Sequence, residues 1–121
     1  MLWQPYVPLS ALLPHASALV HHGGMGTTAE ALRSGTPQLI TPFAWDQFDN
    51  GARIAALGAG TVIHASRLRP RNLAHSLQAL TASDTIRARC SQLAQRFIPP
   101  HDPTIFCREV ERLVLSERDD A

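Results

Sequence analysis

His21-His22-Gly23-Gly24-Met25-Gly26-Thr27-Thr28-Ala29-Glu30 is the stretch from which the rest of the chain can be read. Just ahead of it, Ala18-Leu19-Val20-His21 is a short apolar run that stops at glycine, as a buried strand does. Behind it, residues 27–34 place Ala29, Ala31 and Leu32 on one side of a helix and close on Gly35. Glycine is the expected stop there, because it takes the left-handed conformation without strain. The order is therefore strand, glycine loop, helix. Glycines let the backbone approach a ligand, and the first helical turn offers unpaired N–H groups. The helix dipole adds positive potential, so a phosphate is the natural occupant. Thr27 and Thr28 add hydroxyl donors, and a histidine at the strand end has a donor for a phosphate oxygen. Glu30, one turn further on, suits a pair of sugar hydroxyls. The glycines by themselves leave two readings open, a ligand loop or a tight turn.

The same alternation continues outward. Gln38-Leu39-Ile40-Thr41, bracketed by Pro37 and Pro42, and Gly60-Thr61-Val62-Ile63-His64 read as two more strands. Between them, residues 46–57 carry Phe48, Ala52, Ala55 and Ala56 at helical spacing and close on Gly58. Strands that alternate with helices at this spacing form parallel βαβ units. The runs at 18–21 and 38–41 are apolar enough for interior strands. The fold class is α/β, a partial Rossmann-like parallel sheet with flanking helices. Three or four strands amount to about half of a six-stranded doubly wound sheet, with one strand edge lacking a neighbour. Upstream, Trp3-Gln4-Pro5-Tyr6-Val7-Pro8 is extended, since each proline pushes its predecessor out of helical geometry, and residues 10–13 make a short helical turn. Beyond Pro70 the pattern is helical at 72–80, 84–97 and 104–115, with Ser83 as a cap and Pro99-Pro100 between the last two helices. With 121 residues there is room for one domain, 1–121, divided into a βα core at 1–64 and a helical tail at 65–121.

A second loop adds to the first. Thr41-Pro42-Phe43-Ala44-Trp45-Asp46-Gln47 follows the second strand. In open α/β sheets ligands bind outside the carboxyl ends of the strands, so this loop shares an edge with the glycine loop. Asp46 and Gln47 together offer acceptors and donors suited to vicinal sugar hydroxyls. Asp46 is also placed to cap the helix that follows, and the two roles are compatible.

At this point the chain resembles the carboxyl-terminal part of GT-B glycosyltransferases of family 1, the UDP-glycosyltransferase superfamily. Within it, the branch of bacterial rhamnosyltransferases and of sterol or macrolide glucosyltransferases is the most similar. The resemblance rests on Tyr6-Val7-Pro8, Leu13-Pro14, His22-Gly23-Gly24, Thr27, Glu30, Gly35-Thr36-Pro37, Pro42 and Asp46-Gln47 at their joint spacing. It implies part of the C-terminal domain of a GT-B fold, the portion that binds a nucleotide-sugar donor. Tyr6 then stacks on the base and Val7 supplies backbone contacts to it. His22 approaches the diphosphate, Gly24, Gly26 and Thr27 hold the phosphates, and Glu30 takes the ribose hydroxyls. Asp46 and Gln47 take the hydroxyls of the transferred sugar. Where the plant form has Trp and Gln about the first proline and Trp-Asn after the glycine, this chain has Tyr6, Leu9, Met25 and Gly26.

The activity implied is transfer of a hexosyl group from a UDP- or TDP-sugar to a hydroxyl acceptor, with no cofactor and no metal. In the family the acceptor and the general base belong to an amino-terminal domain, so no catalytic residue is assigned here. The partners implied are the donor, the acceptor, and the missing acceptor domain or a partner chain. The competing reading is a non-catalytic nucleotide-sugar-binding module or one subunit of a split glycosyltransferase.

Composition bounds these readings. Hydrophobic residues make up 45% and charged residues 17%, enough to bury a core. The formal net charge of +1 argues against a nucleic-acid partner. All 11 basic residues are arginine. Six of them lie within 64–96 beside the single acid Asp84, while 101–121 holds six acids and three arginines. These read as two solvated helical faces able to pair with each other. Cys90 and Cys107 suggest no disulfide framework and read as buried thiols within helices. Trp3 and Trp45 read as packing or pocket-wall groups, His21 as a strand-end packing residue, and His15, His21 and His22 as a poor metal set. With no basic residue ahead of an apolar run at the start, a cytoplasmic location is expected, at the inner membrane face if the acceptor is a lipid.

Overall fold

The computed structural model describes residues 1–97 and 103–119. The Pro99-Pro100 break expected between the last two helices lies outside them. Three strands, β1 (Leu19–His21), β2 (Gln38–Ile40) and β3 (Gly60–Val62), form a parallel sheet in the order β1-β2-β3. Val20 stands opposite Leu39, and Leu39 opposite Thr61. Backbone bonds from Thr41 to His21 and from Ile63 to Ile40 carry the pairing one residue further, toward the strand ends expected from sequence. The helices are α1 (Leu9–Leu12), α2 (Met25–Ser34), α3 (Gln47–Ala56), α4 (Pro70–Ala82), α5 (Asp84–Ala94) and α6 (Pro103–Asp119), with a 3-10 turn at Leu13–His15 and another at Ala65–Arg67.

β2 is buried along its whole length, because helices cover both faces of a parallel sheet. Ile40 joins Ile54, Ala59, Cys90 and Leu93 in the core, with Leu32, Leu57, Val62 and Ile86 packed against them. Two close approaches set the layer spacing. A Cβ on Gly51 would sit 3.2 Å from a methyl of Val62 and 3.3 Å from one of Ile40, so α3 lies tight against β2 and β3. A Cβ on Gly60 would meet the carbonyl of Gln38, so β3 depends on glycine to reach β2. α4 packs on β2 and β3, and α2 on α5. Gly35 ends α2 in the left-handed conformation, with φ 71°. The Ser83 hydroxyl caps α5 by accepting from the Ile86 N–H. Thr36, buried, donates to the Leu13 carbonyl at 2.7 Å and so ties the amino-terminal segment to the end of α2.

β2 is interior, and the exposed sheet edge expected of a half sheet is found at β1. β1 lies at an edge of the described sheet, and Val20 is 44% exposed. Other expectations meet a different outcome. Cys90 is buried, but Cys107 is exposed on α6. Trp3 and Trp45 pack against nothing that covers them, at 79% and 89% exposure. The four ion pairs among the described residues are each within one helix, and none of these joins the basic segment to the acidic one; four of the six acids in 101–121 have side chains outside the described residues. Local i,i+3 and i,i+4 partners satisfy those charges first. α6 displays Ile105, Phe106, Val110, Val114 and Leu115, all exposed. Among the described residues no helix is long and apolar enough to cross a membrane.

Candidate functional site

The glycine loop is held by the histidine before it. The Gly23 N–H donates to His21 Nδ1 at 3.1 Å, which leaves the ring proton on Nε2, where it donates to Gln38 Oε1 at 2.9 Å. The ring is thus neutral. Burial holds its pKa below the usual 6.5, against the opposing effect of the Gln38 bond. The packing role expected of His21 is in fact a clamp on the loop.

Gly23 turns with φ 93°, a value that side chains rarely adopt. A Cβ there would also meet Ile40 at 2.8 Å and the Gln47 carbonyl at 3.1 Å. The loop therefore presses directly on the start of α3. The helix α2 begins at Met25, two residues before the expected start, which puts Gly26 and Thr27 in its first turn. No side chain caps this end, and its first turn has no acid. Its free N–H groups and dipole are left for a ligand. His22 is exposed, and its Nε2 lies 2.6 Å from where a Cβ on Gly24 would be. A side chain at 24 would push that ring off the helix end. A Cβ on Gly26 would meet nothing within 4 Å. Thr28 differs from its expected role. Its hydroxyl is buried without a partner, so it is no donor to a ligand outside.

One helical turn beyond Thr27, Glu30 reaches a cleft of about 340 Å³ shared with Tyr6, Val7, Pro8, Leu9 and Ser10. The Glu30 carboxylate is 3.9 Å from Arg33, a loose contact that leaves its lone pairs open. Tyr6 is 79% exposed at the rim of this cleft, its ring face uncovered. Residues Gly26, Thr27 and Glu30 share one face of α2 through i,i+3 and i,i+4 spacing, so the cleft at Glu30 lies about one helical turn from the loop.

The second loop is built differently from the sequence reading. Asp46 occupies the N-cap position of α3, yet its carboxylate makes no capping bond. Instead Oδ2 accepts from Asn50 Nδ2 at 3.0 Å, and the same amide donates to the Gly23 carbonyl at 2.9 Å. Asn50 is buried and joins the two loops. The sequence reading gave it no role, although its i+4 spacing from Asp46 was visible. Gln47 Oε1 accepts from the N–H groups of Phe43, at 2.9 Å, and Ala44, at 3.2 Å. Its acceptor is spent on the loop, and its NH2 group remains to donate. Trp45 sits between them with φ 57°, a strained value for a bulky residue. The structure thus brings Tyr6, Val7 and Glu30 into one cleft, places His22, Gly24, Gly26 and Thr27 at one helix end, and fastens Asp46 beside that end through Asn50. Among the described residues no three His, Cys, Asp or Glu side chains are grouped for a metal.

Comparison with known proteins shows the family and the fold. Residues 3–113 match the family described as Erythromycin biosynthesis protein CIII-like, C-terminal domain. The aclacinomycin-T 2-deoxy-L-fucose transferase of Streptomyces galilaeus is 32% identical over 117 residues, 95% of this chain. The chain spans 27% of that relative. Among solved structures, the glycosyltransferase VinC in complex with DTDP is 42% identical, with a TM-score of 0.71 over 74% of this chain and 23% of its own. The spinosyn forosaminyltransferase SpnP gives a TM-score of 0.80 at 29% identity, over 93% of this chain and 30% of its own.

Proposed function

We propose, because this chain belongs to the Erythromycin biosynthesis protein CIII-like C-terminal domain family of glycosyltransferases, that it holds the nucleotide-sugar donor during transfer of a hexosyl group from a TDP- or UDP-sugar to a hydroxyl acceptor. Relatives are named as sugar transferases, and one similar structure, VinC, has been solved with DTDP. The observation that carries the reading is the Tyr6–Val7–Glu30 cleft, which Glu30 sets one helical turn from the uncapped end of α2.

The base stacks on the open face of Tyr6 with its edge on the backbone at Val7. Glu30 accepts from the ribose hydroxyls. The diphosphate reaches the first turn of α2, where the N–H groups of Gly24, Gly26 and Thr27, the Thr27 hydroxyl and His22 surround it. Gly26 leaves room for that approach. The sugar then falls beside α3, where Asp46 accepts from its hydroxyls and the Gln47 amide donates. As the acceptor oxygen attacks the anomeric carbon, charge gathers on the departing diphosphate. The α2 end and His22 stabilise that charge where it develops. The acceptor and the base that takes its proton come from outside these residues, and nothing in this reading needs a metal.

Calorimetry on Asp46→Asn tests the sugar assignment. This variant keeps an oxygen for Asn50 while removing the charge. Affinity for a TDP-sugar should fall by about 1–3 kcal/mol, the range for weakening a charged hydrogen bond, while affinity for TDP is unchanged. Equal losses for both ligands would remove Asp46 from the sugar subsite.

A further inference from the structure

A second cleft, of about 490 Å³, lies at the far edge of the sheet and has no part in the donor site. Its volume falls within the range of small-molecule sites. The floor is Val62 and Ile63 at the end of β3. The walls are His64, Arg67 from the 3-10 turn, and Arg71, Asn72, His75 and Ser76 from the first turns of α4. No acid lines it. Elsewhere Arg33, Arg53, Arg87 and Arg112 each have a carboxylate partner, and Asp84, the only acid in this arginine-rich stretch, is taken by Arg87. Among the described residues Arg67 and Arg71 have none.

The cationic wall is also positioned. Asn72 Nδ2 donates to the Arg67 carbonyl at 3.0 Å and fixes the turn bearing Arg67 against the first turn of α4, which bears Arg71. The His64 ring stacks on Phe48, with centroids 5.5 Å apart. Arg71 and His75 are four residues apart on one helical face. Two guanidinium forks, two imidazoles and a serine hydroxyl above an apolar floor suit an oxyanion joined to an apolar body.

We infer that this cleft binds a phosphorylated ligand, with the phosphate on Arg67 and Arg71 and the apolar part on Val62 and Ile63. Through Phe48, which stacks on His64 and follows Gln47 in α3, the ligand lies next to the sugar end of the donor site. The inference does not depend on the donor assignment, because the two sites share no residue.

Amide-resolved NMR of the full chain, titrated with inorganic pyrophosphate, tests it. The amides of His64, Arg67, Arg71, His75 and Ser76 should shift saturably. In Arg67→Gln/Arg71→Gln that binding should weaken by about tenfold or more, from losing charged hydrogen bonds. Both side chains are exposed, so the fold should be kept, and the dispersion of the remaining amides reports this directly. The glycine-loop amides serve as a separate reporter. Their response should survive the arginine changes, and the cleft response should survive His22→Ala. Co-sedimentation with phosphatidylcholine vesicles, with and without phosphatidylglycerol, distinguishes the sources. Pelleting that needs phosphatidylglycerol and is lost in the double variant assigns a lipid headgroup, while saturation by pyrophosphate with no pelleting assigns a soluble phosphoester. Cleft affinity unchanged in the double variant, or an unsaturable drift at the cleft together with no pelleting, would overturn the inference.

Discussion

Gly26 has no packing reason to be glycine. It lies in the first turn of α2, and a Cβ there would meet open space. Helical glycine costs up to about 1 kcal/mol relative to alanine, so the fold alone would favour alanine. Gly26→Ala should therefore stabilise the chain by about 0.5–1 kcal/mol in denaturant titration while weakening TDP binding. A variant that gains stability and keeps full affinity would mean that no ligand approaches this position. Asn50 is the reverse case. Asn50→Ala leaves the Gly23 carbonyl and the Asp46 carboxylate without their shared donor and should cost about 1–3 kcal/mol of stability. No loss in denaturant titration would show that the two loops stand independently. His21 adds a pH dependence. Its folded pKa lies below 6.5, so the unfolded chain binds more protons as the pH falls past that value. The stability it contributes is full above pH 6.5 and is lost as the pH drops toward the folded pKa. Acid titration of unfolding should show this loss in the native chain and a shallower one in His21→Gln; identical profiles would contradict the clamp. At this scale the sequence revealed residue types and missed partners. Gln47 was legible as a polar group, but the engagement of its oxygen by two loop N–H groups depends on a turn that spacing does not show.

The elements were largely legible because their stops are chemical. Gly35 and Gly58 end α2 and α3 with φ near 70°, and Pro37 and Pro42 bracket β2. The start of α2 was less so. Glycine is a poor helix former, yet the first turn needs no intrahelical N–H bond, so Met25 and Gly26 join the helix. Sheet order set the place of β1, and apolar content alone could not. Leu19-Val20-His21 is as apolar as a central strand, yet it lies at an edge of the described sheet. The described charge pairs at Asp84 and Glu109 are local, because helical neighbours compete for the same carboxylates. Gly60 offers a test at this scale. Gly60→Ala drives a methyl into the Gln38 carbonyl, and β3 must shift or separate. The thermal midpoint should fall by several degrees, in line with a loss of about 2 kcal/mol or more. An unchanged midpoint would mean that the β2–β3 spacing is looser than described.

Across the whole molecule, two features share one consequence. β1 presents an edge with Val20 uncovered, and α6 displays a row of apolar side chains. Unpaired edges and exposed apolar faces recruit another surface. The isolated chain should accordingly self-associate at micromolar concentration in sedimentation, and a cooperative, stable monomer would show that it closes its own surface. The donor site is the larger claim, and one titration addresses it most directly. TDP is added to the isolated chain and followed by amide-resolved NMR and calorimetry, alongside His22→Ala and Thr27→Ala. Saturable shifts should appear together at Tyr6, Val7, Gly24, Gly26, Thr27 and Glu30, and each variant should weaken binding by about 1–3 kcal/mol. Saturation with shifts confined to other residues, or affinity unchanged in both variants, would contradict a diphosphate held at the start of α2.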